Sequence, residues 1–240
     1  MSQSTDIASP PGEPDAVVRR PLRRLSATLA VGTTIVVIVV LAALISLFWT
    51  PYDPVKAFPA ERLQGSSALH LMGTDKFGRD VFSGILYGAR ITLMVGLISV
   101  GIAVVVGTPL GILAGMRGGA TEEITMRGAD ILLAFPALLL AIMFGAVFGA
   151  STTTAMVAIG IGSIPGFARV ARSGTLQVMS TEYVLAARAS SQSAFRIARR
   201  HVLPNIAGMV VVQCSVTFAL AVLAEAALSF LGLGTPPPVP

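Results

Sequence analysis

Charged residues are scarce in this chain. Only 12% of its 240 residues are Asp, Glu, Lys or Arg, whereas an average soluble domain has about 25%. Hydrophobic residues make up 54% of the sequence. So few charges argue against a water-soluble domain and indicate that lipid surrounds most of the surface.

Cysteine is almost absent as well. The single cysteine, Cys214, lies inside an apolar run. One thiol excludes a disulfide framework and a cysteine-based metal site. We therefore expect Cys214 to be a small packing residue.

Motifs for catalysis are also missing. The sequence contains no His-Glu-x-x-His, no Gly-x-Ser-x-Gly and no phosphate-binding Gly-x-x-x-x-Gly-Lys-Ser/Thr. A membrane enzyme, such as an intramembrane protease or a lipid-modifying enzyme, would lack both nucleophile and base. A proton-coupled carrier would need ionisable groups near the bilayer midplane, and the apolar runs do not provide them. We predict no catalytic residue and no metal site.

Long apolar runs dominate what is present. A helix needs about 20 apolar residues to cross the ~30 Å hydrocarbon core. The sequence predicts an all-α integral membrane protein with five spans, an N-terminus in the cytoplasm and a C-terminus outside. The runs cover residues 29–48, 91–116, 131–150, 151–168 and 206–233.

The N-terminal region changes character abruptly. Residues 1–24 are predicted to be a disordered cytoplasmic tail that ends in a basic stretch, and residues 25–49 are predicted to be the first transmembrane helix. Trp49 and Tyr52 follow at the expected interface. A secretory signal is the alternative, but the apolar run exceeds the usual core of about 7–15 residues and no Ala-x-Ala site follows. The basic residues are Arg19, Arg20, Arg23 and Arg24.

Residues 50–90 form a polar segment with five basic and four acidic residues. The segment therefore lacks the excess of basic residues that is typical of cytoplasmic loops, so it is expected to lie outside. In the next span, three glycines recur every four residues, which predicts a close helix contact on one face unless the spacing is chance. Residues 117–130 are expected to form a charged turn, and Pro136 to kink or begin the following helix. The glycines are Gly107, Gly111 and Gly115.

Residues 169–205 contain six arginines and one acidic residue, which indicates a cytoplasmic location. Ser180 or Thr181 is expected to cap a short helix, and Glu182 favours its first turn. The interruption at 190–193 is followed by a second helix that Ser193 can cap. Two small alanines, Ala186 and Ala187, offer a surface that another protein can approach closely. A basic loop that only anchors to anionic headgroups is the alternative, and charge alone does not decide between them.

The second short helix is expected to end at three cationic residues. Pro204 is expected to fix the turn into the last span. The cationic residues are Arg199, Arg200 and His201.

Five motifs in order resemble one family. The region 70–90, with His-Leu-Met-Gly-Thr-Asp-Lys-Phe-Gly-Arg-Asp, is similar to the segment before the second span of dipeptide, oligopeptide and nickel permeases. The other four motifs lie at residues 130–136, 168–172, 183–187 and 225–234. The resemblance covers residue 25 to the end, and it implies the second permease subunit of a type I ABC importer.

The resemblance also implies an assembly in the inner (plasma) membrane. It would contain a related permease as heterodimer partner, two ABC ATPase subunits, an extracytoplasmic substrate-binding protein and membrane lipid, without nucleic acid. ATP and magnesium would belong to the ATPases, with no cofactor in this chain. Peptide is the favoured cargo, and nickel or another small solute is the alternative. Residues 91–240 would form the core permease domain, with 169–205 as the loop that couples it to the ATPases.

The resemblance assigns residues to two sites. The external motif contains Gly73, Thr74, Asp75, Gly78, Arg79 and Asp80. The ATPase-docking set contains Glu182, Tyr183, Leu185, Ala186, Ala187, Arg188, Ser191, Leu203 and Pro204.

Three departures from the family pattern stand out. Leu185 replaces a usual glutamate, which suits a hydrophobic contact. Ser191 replaces a usual glycine, and a positive φ there would cost serine roughly 1–2 kcal/mol. The family normally continues with one more span, so further sequence is expected beyond Pro240.

Charged residues in two places need an interpretation. Between residues 70 and 80, metal binding or acid–base chemistry is less plausible than turn formation, in which Asp75 and Asp80 cap turns or pair with Lys76 or Arg79. Glu225 lies near the outer end of an apolar run. We favour a structural role for Glu225 over a proton relay, because it has no acidic or histidine neighbour.

Overall fold

The computed structural model describes residues 27–232. The predicted tail 1–24 and the C-terminal residues 233–240 lie outside this part. The chain divides into two units between Ile38 and Val39. Within the described residues all regular structure is helical. The α-helices are α1 (Ala27–Phe48), α2 (Val81–Arg117), α3 (Gly119–Leu133), α4 (Ala137–Phe148), α5 (Thr152–Met179), α6 (Glu182–Ala189), α7 (Ala194–Ile197) and α8 (Leu203–Phe230).

The described part contains four helices that are long and apolar enough to span a membrane. They are α1, α2, α5 and the continuous helical run Ala194–Phe230. Helices α3 and α4 meet at a bend of 79° and add a fifth span only if the pair is one broken span. The all-α membrane architecture is confirmed, and the expected count of five depends on that pair.

The second span begins earlier than the hydrophobic pattern indicated. Helix α2 starts at Val81, so the irregular segment that was predicted to lie outside ends at Asp80 instead of continuing to residue 90. Asp80 fixes this start, because its carboxylate accepts a hydrogen bond of 2.8 Å from the Ser83 backbone N–H. A carboxylate at this position satisfies an otherwise unpaired amide of the first turn.

The predicted charged turn at 117–130 is wrong. Only Gly118, with φ of 65°, separates α2 from α3, and α3 contains the charged residues. Their charges suit a helix, since Glu123 and Arg127 pair at 2.7 Å across one turn. Pro136 is the N-cap of α4, so this helix begins directly after the proline, as predicted, and a residue without an N–H is tolerated at a helix start.

Helix α5 also exceeds its predicted end at residue 168 and continues to Met179. Arg169 and Arg172 had suggested a loop. In the structure both arginines bind carboxylates of α3, so their charges are satisfied on a helix surface. The N-terminus of α5 is capped by Ser151, which accepts a hydrogen bond of 3.1 Å from the Thr154 N–H.

The core centres on α5, which packs against α2, α3, α4 and α8. Its closest neighbour is α2, and the predicted glycine face forms this contact. A Cβ atom added to Gly107 would lie 2.6 Å from the Ile164 carbonyl oxygen, and one added to Gly115 would lie 2.8 Å from Thr175 Cβ. The predicted close approach is confirmed, because side chains larger than hydrogen do not fit there.

Candidate partner-docking site

The region 180–203 forms two short helices joined by a tight turn. Helix α6 begins at Glu182 as predicted, with Thr181 at the cap position, although the Thr181 hydroxyl donates to the Val178 carbonyl instead of accepting an amide. Ser193 caps α7 by accepting a hydrogen bond of 3.3 Å from the Arg196 N–H. The predicted helix–turn–helix is therefore present.

One face of α6 is fixed to the helical core. Val184 and Ala187 are buried in a small apolar cluster formed by residues of α5, α6, α7 and α8. Ala187 is 6% exposed, so it does not belong to the surface that a partner could reach, contrary to the sequence-based expectation. The remaining cluster residues are Ala171, Val178, Met179, Ile197, Val202 and Ile206.

The opposite face of α6 is open. Leu185 is 51% exposed, and Ala186 beside it leaves a shallow, apolar surface. Tyr183 is half-exposed and its ring lies 5.8 Å from that of His201. The other predicted docking residues are also accessible, namely Glu182, Arg188, Ser191, Leu203 and Pro204.

Ser191 forms the turn between the two helices. Its φ is 56°, as the resemblance to a glycine-containing loop predicted. The Ser191 N–H donates a hydrogen bond of 2.9 Å to the Arg188 carbonyl and closes the end of α6. A glycine would occupy this backbone conformation without a Cβ penalty.

The second helix does not end at its cationic residues. Ala198–Val202 form a single π-helical turn that continues directly into α8. Arg199 and Arg200 are therefore inside a continuous helix. Pro204 lies in the first turn of α8, where it needs no amide partner, so it does not form the predicted turn.

A pair of ion bridges between α3 and α5 was not predicted. Arg172 binds Glu122 through Nε at 2.7 Å, and Arg169 binds Asp130. These groups line an open cavity of about 850 Å³ between the two helices. The spacing of Glu122 and Asp130, eight residues apart, already placed both carboxylates on one helix face, but the predicted turn obscured that pattern.

The external motif is a compact set of turns. Gly73 and Gly78 have φ of 75° and 82°, so both positions require glycine. Asp75 accepts hydrogen bonds from the amides of Phe77 at 2.7 Å and Arg79 at 2.9 Å, which confirms its role as a turn cap.

Thr74 completes the external motif. It is buried, its hydroxyl donates to the Glu61 carbonyl, and it accepts a hydrogen bond of 2.9 Å from the Gln64 N–H. These hydrogen bonds join Thr74 to the chain around residues 61–64, earlier in the same segment.

His70 joins this motif through two carboxylates, a contact that the sequence did not predict. Its Nδ1 lies 2.9 Å from Asp80 Oδ1 and its Nε2 lies 3.3 Å from Glu61 Oε2. The hydrogen bond to Asp80 raises the pKa of His70, burial lowers that pKa, and Glu61 raises it, with a net increase. Burial raises the pKa of Asp80, but hydrogen bonds from Ser83 and His70 lower it below its usual value.

Glu225 is buried in α8 and accepts a hydrogen bond of 3.1 Å from the Ser229 hydroxyl one turn later. In the part of the chain that the structure describes, no group of three or more His, Cys, Asp or Glu residues has metal-binding geometry. The arrangement is that of a helical membrane protein whose short helix α6 has one buried and one exposed face.

Residues 107–240 match the family described as "Binding-protein-dependent transport system inner membrane component". The chain belongs to this family. It is a permease subunit of an ABC importer, located in the inner membrane, and the family members are transport proteins.

Two relatives are similar to this permease over most of its length. It is 41% identical to the "Dipeptide transport system permease protein DppC" of Alkalihalophilus pseudofirmus, covering 88% of this chain and 69% of that protein. It is 38% identical to the "Glutathione transport system permease protein GsiD" of Pectobacterium atrosepticum, covering 98% of this chain and 80% of that protein.

The fold of the permease also has a match among solved structures. An inward-facing structure of the MetNI methionine ABC transporter superimposes with a TM-score of 0.53 at 21% identity, covering 60% of this chain and 73% of that chain. This likeness supports the transmembrane fold of ABC importers.

Proposed function

We propose that this permease imports di- or oligopeptides as one of two related permease subunits. Two ABC ATPases and an extracytoplasmic substrate-binding protein would complete the importer. The names of the dipeptide and glutathione relatives support the cargo class. The six arginines of residues 169–205 support a cytoplasmic location for the exposed face of α6. A cytoplasmic N-terminus follows when α3 and α4 form one broken span, because four spans then precede this face.

The exposed outer face of α6 is the observation that carries this proposal. Its outer surface exposes Leu185 and Ala186, while Val184 and Ala187 anchor its inner surface in the cluster shared by α5 and α8. A force applied to α6 by a closing ATPase pair would therefore reach two long helices at once. Such a contiguous packed path can transmit motion from ATP hydrolysis to the membrane domain.

ATP and magnesium are assigned to the partner subunits. The permease sequence has no Gly-x-x-x-x-Gly-Lys-Ser/Thr loop, so it offers no Walker-type phosphate cradle. The role of this subunit is then mechanical: it alternates between inward-open and outward-open states as the docked helix moves.

Two neighbouring alanines allow a sharp test. Ala186→Trp adds bulk on the exposed face of α6, whereas Ala187→Trp adds it in the core. We expect the Ala186→Trp complex to fold and hydrolyse ATP with peptide uptake reduced at least tenfold, and the Ala187→Trp subunit to lose thermal stability. Uptake of radiolabelled dipeptide into proteoliposomes, ATPase rate and thermal unfolding are measured together.

Ala150→Trp is the matched control. Ala150 is exposed in the turn before α5, whereas α6 follows the other end of α5. Its uptake should remain at the wild-type level. Normal uptake by Ala186→Trp would contradict the docking assignment. The cargo is tested separately by purifying the complex through a tag on this subunit and identifying the binding protein; a nickel-binding partner would overturn the peptide assignment and leave the coupling result intact.

A further inference from the structure

A second cavity, of about 800 Å³, lies between α2 and the start of the Ala194–Phe230 helix. Its walls are apolar, with Val104, Ile112 and Leu113 on α2 and Phe195 on α7. Arg117 and Arg199 also line it. The cavity is separate from the charged cavity between α3 and α5 and from the outer face of α6, and it shares Leu203 with the predicted docking set.

The packing register places both arginines at one end of this groove. Helices α2 and α8 run in opposite directions, and a Cβ atom on Gly96 would overlap the ring of Phe218. Arg117 lies 21 residues after Gly96 (117 − 96 = 21), and Arg199 lies 19 residues before Phe218 (218 − 199 = 19). At a rise of about 1.5 Å per residue, the two arginines are level to within about 3 Å along the helix axes.

Neither arginine has a partner in the described part of the chain. No carboxylate lies within the 4.0 Å ion-pair distance of Arg117 or Arg199. The other interhelical arginines, Arg169 and Arg172, are both paired. Two unpaired cations at the mouth of an apolar groove are complementary to an amphiphile with an anionic head.

The length of the groove fits one lipid tail. From Val104 to Arg117 it extends over 13 residues (117 − 104 = 13), or about 20 Å along α2. One leaflet of the hydrocarbon core is about 15 Å deep. An acyl chain along the apolar wall would thus place its phosphate beside the arginines.

We propose that this groove binds an anionic phospholipid, with its phosphate between Arg117 and Arg199 and one acyl chain along Val104, Ile112 and Leu113. Basic pockets between membrane helices favour such headgroups. The lipid would pack against the helical turn from which α7 continues into α8, next to the docking helices. This inference depends on the membrane location of the chain and is independent of its cargo.

The test uses native mass spectrometry of the complex purified through a tag on this subunit, titrated with phosphatidylglycerol or phosphatidylcholine of the same chains. We expect Arg117→Gln/Arg199→Gln to weaken phosphatidylglycerol binding about 25-fold, since each arginine near an anionic headgroup contributes about fivefold. Phosphatidylcholine binding should not change.

Arg90→Gln/Arg127→Gln is the matched control, because it removes the same charge at exposed positions outside the groove. It should bind phosphatidylglycerol like the wild type. Leu113→Trp, at a partly exposed position, should fill the groove and displace the lipid without removing charge. Equal retention of phosphatidylglycerol by the wild type and by Arg117→Gln/Arg199→Gln, or wild-type retention by Leu113→Trp, would overturn the inference.

Discussion

His70 and Asp80 are joined by a hydrogen bond of 2.9 Å between Nδ1 and Oδ1. The same carboxylate caps the start of α2 through Ser83, so this contact connects the external segment to the membrane helix. A neutral imidazole has one N–H, whereas His70 faces two carboxylates, those of Asp80 and Glu61. The imidazolium form satisfies both.

The external segment should therefore lose stability as pH rises. The pKa of His70 is raised from 6.5, so its contribution is complete below pH 6.5 and is lost as pH passes the raised value. Hydrogen exchange of residues 59–83, corrected for intrinsic rates, should show protection that falls at alkaline pH. His70→Gln should abolish this dependence and His201→Gln should retain it; a profile unchanged in His70→Gln would refute the assignment.

The same segment should weaken again in acid. The pKa of Asp80 is lowered from 3.8, so its contribution is present above pH 3.8 and disappears as pH falls through the lowered value. Asp80→Ala should remove both the acid transition and the cap of α2, because alanine has no side-chain acceptor for the Ser83 N–H. Exchange protection of residues 81–84 reports the cap directly, and persistent protection there in the variant would exclude this role.

The glycine face of α2 predicts opposite effects for two substitutions. Gly111→Ala should destabilise the subunit by about 1–3 kcal/mol, because its Cβ would overlap the backbone of α5 near Ala168. Gly101→Ala meets nothing within 4 Å and should stabilise the helix by up to about 1 kcal/mol. Thermal unfolding of the purified complex distinguishes them, and equal shifts would contradict the packing.

Substitution by glycine should stabilise the subunit at Ser191 and destabilise it at the neighbouring Ser190. Ser191→Gly relieves a positive φ of 56° and should raise stability by up to about 1 kcal/mol. Ser190, with φ of −78°, has no such strain, so Ser190→Gly should lower stability through backbone entropy. The comparison is made by thermal unfolding at constant lipid and detergent; greater stabilisation from Ser190→Gly would be inconsistent with the turn.

The Glu122–Arg172 pair should couple more strongly than a surface pair. A double-mutant cycle to Gln and Met should give about 0.5–3 kcal/mol for this half-buried contact. The exposed Glu123–Arg127 pair should give about 0.3–0.5 kcal/mol in the same cycle. Similar coupling energies for both pairs would contradict this expectation, because they would show that solvent screens Glu122–Arg172 as strongly as it screens Glu123–Arg127.

Sequence patterns predicted the features that depend on nearby residues. The glycine spacing identified the contact of α2 with α5, and the unusual serine at 191 identified a positive φ. Glu182 and Ser193 correctly marked the first turns of the two short helices. Each of these features follows from steric or capping preferences that operate within a few residues.

Features that depend on distant residues were missed. Arg169 suggested a loop, but it lies on α5 and binds Asp130 of α3. Asp80 had suggested a turn cap or a partner of Lys76 or Arg79, and Ala187 had suggested an open surface. In each case the deciding group comes from elsewhere in the fold, so charge and size at one position could not reveal it.

The contact of Gly107, Gly111 and Gly115 with α5 also constrains how the subunit can move. Because backbone meets backbone there, a shift of α2 along α5 by one residue would bring Cβ atoms against carbonyl oxygens. Flexible side chains, which could adapt to sliding, are missing from that face. We expect α2 and α5 to move as one rigid body during transport. The helices that contact them through larger side chains should change position relative to this pair.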